Sequence, residues 1–351
     1  MNAKNLFGAP SLFFFIGIII SFAACQRDTK RNAPDVSNIK ADVKIQRFEQ
    51  DLFALDTLNM AVSLPALHKK YGTFADVFFE QITDLNPKMK IGDGDNPDFA
   101  QHVSCFINYT TTRKLYDTTQ IAYKNISDTE AELSLMMRYY KYYFKNRPIP
   151  KFYSCISEYS IGAFTINDSI VGIGLDMFFG PKYPIYTYID KPEYLTKTLD
   201  KQHLSVYVAN ALIDEIAPPP AQNRLLDVMI QNGKKLYVLE SLLPAAPDSV
   251  LHCYTAKQME WCADNESELW SFFLEQKLLY SDDQKAFRRF TEPAPTSNGM
   301  PADAPGRTAN YTGYKIVAQY MAANPNMTLQ TLLDERNTEK IFKMAKYKPK
   351  K

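Results

Sequence analysis

The sequence predicts a helix-rich α/β body of the α+β kind, a single domain with a small mixed sheet near its centre. Three observations lead there. Apolar residues recur at three-to-four spacing through most of the chain, as in helices that bury one face. A few short strand-like stretches and one hairpin interrupt that pattern in the first half. No internal repeat and no long low-complexity tract divides the 351 residues, a length that suits one large domain or two modest ones.

The chain opens with one basic residue, Lys4, an apolar run over residues 12–20, and the small-residue approach Phe22-Ala23-Ala24 before Cys25. Charge, apolar core and small residues before a break make an export signal. A cysteine directly after the small pair makes it similar to a bacterial lipoprotein signal, with a lipid on the Cys25 thiol and the chain cut before it. The thirteen mostly apolar residues 12–24 fall short of the ~20 that span a bilayer. Residues 1–24 are therefore expected to be removed. Polar, charged residues 25–40 form a flexible tether, residues 41–345 the globular domain, and residues 346–351 a basic tail.

Asp42 to Phe48 alternates polar and apolar residues, which argues a half-buried strand. Helical spacing follows over residues 48–54 and 64–82, before a turn-rich break at 92–97. Ser127-Asp128-Thr129-Glu130 has the form of a capping box. It opens a long helix that Asn146-Arg147-Pro148 closes. Residues 151–156 read as a strand. Residues 163–166 and 170–175 flank Asn167-Asp168, whose side chains suit a tight turn, and form the clearest hairpin. Gly172-Ile173-Gly174 lies inside its second strand and reads as a close-packing feature.

Leu204, Val208, Leu212 and Ile216 mark a helix ended by Pro218-Pro219-Pro220. Two more helices are expected at 222–231 and 234–243, separated by Asn232-Gly233. Helical character returns over 255–280, then over 306–321 after a Pro-Gly turn. Thr328 is placed to cap a short helix at 329–335. The tail from residue 343 is expected to be frayed.

Composition excludes several classes. The formal charge of +1 falls to 0 once Lys4 leaves with the signal, so no overall field draws nucleic acid. Aromatic residues make up 13% of the chain, and their periodic placement suits core edges better than a sugar platform. The four histidines, His68, His102, His203 and His252, show no helical ligand spacing, and no metal or other cofactor is expected. No Gly-rich phosphate loop and no Gly-x-Ser-x-Gly elbow is present. Asp214-Glu215 and Glu266/Glu268 are carboxylate pairs that read first as solvated helix faces. Cys105, Cys155, Cys253 and Cys262 permit one or two disulfides, in three possible pairings, or stay as buried thiols.

Several segments in order resemble one family. They are Ile45-Gln46-Arg47-Phe48, then Gly174-Leu175-Asp176-Met177-Phe178-Phe179-Gly180, then residues 229–243 with the core Gly233-Lys234-Lys235-Leu236-Tyr237. Trp261, Glu266 and Trp270, Leu279-Tyr280-Ser281, Pro305-Gly306-Arg307 and Gly313–Val317 with Tyr320-Met321 follow. The pattern looks like the gliding motility lipoproteins called GldB, of the Bacteroidetes. The resemblance implies a membrane-anchored, periplasm-facing protein linked to an envelope machine for motility and secretion. A second likeness, of fold only, is to zincin-type peptidases. The helix that would carry their His-Glu-x-x-His reads Asn210-Ala211-Leu212-Ile213-Asp214 here, without the ligands or the base.

The expectation is thus an envelope lipoprotein, lipid-anchored at Cys25 and facing the periplasm. Its partners are the membrane and the envelope proteins of a motility or secretion machine; it works by protein contact and without catalysis. The alternative is a divergent zincin-like peptidase or envelope hydrolase using Asp214, Glu215 or Glu240 with a nearby histidine.

Overall fold

A computed structural model describes residues 33–85 and 97–350. Cys25, the signal and most of the break at 92–97 lie outside the described residues. Only the end of the first alternating stretch is a strand: β1 is Ile45–Arg47 and runs straight into helix α1, Phe48–Phe53. The apolar stretch 64–82 is not one helix. α2, Met60–Tyr71, stops at Gly72, whose positive φ of 51° turns the chain. α3, Thr73–Val77, then widens into a π-turn over Phe78–Ile82. α4 is Pro97–Asn108 and α5 is Thr110–Ala122.

α6, Ser127–Tyr143, is the long helix expected, but its capping box does not form. Glu130 reaches to β1 instead. It accepts from the Ile45 amide at 3.0 Å and the Lys44 ammonium at 2.7 Å. Ser134 accepts from the Val43 amide at 2.9 Å. Two side chains of α6 thus occupy donors along the free edge of β1, which would otherwise invite another strand.

The sheet is completed by β2, Lys151–Cys155, β3, Ala163–Ile166, and β4, Ile170–Gly174, in the order β1-β2-β4-β3. β1 and β4 both run parallel to β2, and β3 runs antiparallel to β4 as the expected hairpin. Asn167 takes the left-handed turn position, and the Phe164 ring lies against the bare face of Gly172. Neighbouring residues of β2 face opposite layers. Phe152 joins α6 and the C-terminal helices, and Tyr153 joins α1 to α4. In the second layer Phe48 sits 4.9, 5.2 and 4.8 Å from the rings of Tyr71, Phe74 and Phe78. Each such buried ring contributes roughly 1.5–3 kcal/mol.

After β4 a 3₁₀ turn, Leu175–Met177, leads to short helices α7, Pro184–Tyr188, and α8, Glu193–Thr196. α9, Lys201–Ile216, is capped by Asp200, which accepts from the His203 amide. α10, Leu225–Leu242, runs unbroken through Asn232-Gly233, contrary to the two helices expected. Then come α11, Asp248–Leu251, α12, Ala256–Asp264, and α13, Glu266–Glu275. Asn265 divides the last two, and Thr255 with Gln258 forms the capping box of α12. α14, Gln284–Thr291, precedes α15, Thr308–Ala323. α16, Leu329–Asp334, is capped by Thr328 as expected, and α17 is Thr338–Ala345.

Gly233 continues the helix because it is needed at a crossing. A Cβ there would lie 2.3 Å from the Gly313 backbone of α15, and one on Gly313 would lie 1.9 Å from the Met229 carbonyl. α10 and α15 therefore touch backbone to backbone. The tail is held rather than frayed. The Tyr347 hydroxyl donates to Glu266 at 3.1 Å, and the Lys348 amide donates to Gln319 at 3.1 Å. At the other end, Val36, Ala41 and Val43 are buried in the main core. Among the described residues no helix is long and apolar enough to cross a membrane. The four cysteines among the described residues are free thiols, with Cys155 and Cys262 buried.

Candidate functional site

α9, α10 and the loop entering α15 enclose a cleft of about 470 Å³. α9 presents Tyr207, Asn210 and Asp214, three residues at helical spacing on one face of the helix. α10 presents Asn232 and Lys235 in the same way. The opposite walls carry Lys191 and Lys197, His252, Cys253 and Tyr254, and Arg307 with Asn310.

Arg307 is positioned by its neighbours. Gly306 lies so close to Ala294 that a Cβ would come within 2.6 Å of the Ala294 carbonyl oxygen. The Tyr254 hydroxyl donates to the Gly306 carbonyl at 3.0 Å, and the Arg307 amide donates to Arg289 at 3.1 Å. These contacts hold Arg307 in the left-handed region, at φ 64° and ψ 22°. Cys253, on the same cleft, is left-handed too, at φ 56°. Such backbone costs a non-glycine residue on the order of 1 kcal/mol.

Four cations and one carboxylate from ionised side chains line the cleft, and their pairing is uneven. Lys235 meets Asp214 at 2.7 Å. Lys197 donates to the neutral Gln258 carbonyl oxygen at 2.8 Å and lies over the Tyr254 ring. Lys191 reaches the Tyr159 carbonyl at 3.4 Å. The Arg307 guanidinium has no side-chain hydrogen bond or ion pair among the described residues. Burial pushes the ammonium groups of Lys191 and Lys197 below the ordinary lysine value, and nearby Arg307 pushes Lys197 in the same direction. The arrangement can bind negative charge. The one carboxylate and the histidine on its walls lie beside those cations.

The candidate carboxylates are not brought together. Asp214 lines the cleft, engaged by Lys235. Glu215 turns to the sheet, where the Thr165 hydroxyl donates to it at 2.9 Å. Glu240 lies further along α10 and accepts from the Tyr314 hydroxyl at 2.6 Å. Glu266, read as a solvated residue, is buried, with Lys315 at 3.3 Å, while Glu268 stays exposed. Of the histidines, only His252 lines this cleft; His68 pairs with Asp76 and His203 with Asp200. Among the described residues no group of three or more His, Cys, Asp or Glu side chains could hold a metal.

Lys197 and Arg307 escaped the sequence reading as site residues. Pro305-Gly306-Arg307 stood out as a segment but carried no role, because its role depends on Ala294 and Tyr254 being near. The spacing of Asn210 and Asp214, which puts both polar residues on one face of α9, was the available signal.

A model of the family described as gliding motility protein GldB matches residues 29–349. No curated protein and no solved structure matches the chain.

Proposed function

Because this chain belongs to the gliding motility protein GldB family, we propose that it is a lipoprotein of the cell envelope. A lipid on Cys25 holds it to a membrane, its body faces the periplasm, and it acts by contact with other envelope proteins rather than by catalysis. The observation that supports the contact reading is the dispersal of the candidate catalytic carboxylates. Asp214, Glu215 and Glu240 are engaged by three different partners, Lys235, Thr165 and Tyr314. An acid–base pair must converge on one reacting group.

The anchor is tested by Cys25→Ser in the full chain, expressed in its own host with radiolabelled palmitate. Wild-type protein is expected to carry label and sediment with membranes, and the variant to lose both. Wild-type protein that is unlabelled and soluble would overturn the proposal.

The hydrolase alternative is favoured by one observation, that Asp214 and His252 line the same cleft. It requires the purified protein to cleave a peptide or glycan substrate, and Asp214→Asn to stop it. A wild-type protein inert toward both removes that reading.

A further inference from the structure

We propose that the cleft between α9, α10 and the start of α15 binds a small anionic molecule, bearing a phosphate or carboxylate group that Arg307 and Lys197 hold. The inference does not depend on the lipid anchor or on the contact role.

The argument begins with what the cleft neutralises and what it leaves. Lys235 has its carboxylate, Asp214, at 2.7 Å. Lys191, Lys197 and Arg307 have none within ion-pair distance among the described residues, and Lys191 and Lys197 rest on neutral carbonyl oxygens. Cations on an open surface need no partner, because water solvates them. These three are half-buried, in a cavity shared with Tyr207 and Tyr254. Removing cations from water is unfavourable, Lys197 and Arg307 are near enough for one charge to disfavour the other, and an oxyanion placed between them reverses the sign of the interaction. Burial is the main reason that Lys197 is depressed, and the Arg307 charge adds a smaller push in the same direction.

Backbone conformation points the same way. A glycine or asparagine at 307 would tolerate the left-handed turn at less cost. An arginine there supplies instead a planar fork that matches the two oxygens of a carboxylate or phosphate. Asn210 and Asn232 add neutral amides, and the tyrosines add ring faces. The cleft volume of about 470 Å³ lies within the roughly 300–1,000 Å³ of small-molecule sites. The cleft therefore has room for an anionic group together with a polar body.

The test is calorimetric titration of purified full-length protein at low ionic strength, with inorganic pyrophosphate and tricarballylate as separate probes. At least one is expected to bind, and the tighter one identifies the anionic group. Arg307→Gln and Lys197→Met should each weaken binding about tenfold or more, as the loss of a charge-assisted hydrogen bond implies. Arg288→Gln, which alters an exposed pair with Glu292 outside the cleft, should leave binding unchanged. Thermal melts confirm that each variant folds; should one cleft variant fail, the other carries the test. If neither probe binds, the proposal is overturned. So does binding that both folded cleft variants retain, or that Arg288→Gln weakens equally.

Discussion

Asp176 is fully buried, and its carboxylate has no ion pair among the described residues. It accepts from the Ser157 amide at 2.8 Å and the Tyr159 amide at 2.7 Å. Between those donors Glu158 and Tyr159 are consecutive left-handed residues, at φ 52° and 63°. The carboxylate thus pins a costly turn. Burial outweighs these bonds and raises its pKa to about 6. A carboxyl raised above its unfolded value binds its proton more readily when folded, so stability falls as pH rises through that window. Wild-type protein should gain about 1 kcal/mol over Asp176→Asn between pH 7 and pH 5. Chemical denaturation of both proteins at the two pH values measures it, and a constant difference would refute the assignment. Residue roles of this kind were the least legible in the sequence. Asp176 stood inside a recognisable segment, Gly174 to Gly180, but the loop it clamps lies seventeen residues upstream. The same holds for Lys234. It is buried and donates to the Glu335 carbonyl at 2.6 Å, tying down the end of α16 a hundred residues away.

At the scale of elements, long-range contacts overrode local signals twice. Asn232-Gly233 has the composition of a helix end, yet α10 continues because α15 needs a residue without a side chain to lie against. Ser127 to Glu130 has the spacing of a capping box, yet Glu130 serves the edge of β1. Where the local signal had no distant competitor it held, as at the Thr328 cap and the Asn167 hairpin. Periodicity reveals an apolar face but not the distance at which the next helix passes. Gly313→Ala places a Cβ inside the Met229 carbonyl contact and should destabilise the fold by about 2 kcal/mol or more. Equilibrium unfolding tests this; a variant as stable as wild type would show that the helices can separate freely.

For the whole molecule, the helix-rich body and central mixed sheet were legible because each element carries its own periodicity. The cleft was not, since its walls come from residues 177 to 310 and only the fold assembles them. The free thiols of Cys105, Cys155, Cys253 and Cys262 show that this body holds together by packing, without a covalent staple among the described residues. Burial at its front end has a further consequence. Val36 is already part of the core, so a lipid on Cys25 would leave ten residues, 26–35, between bilayer and body. Ten residues span at most about 35 Å. A body anchored as proposed would sweep only a thin shell above a membrane, and whatever it met would have to come to that shell.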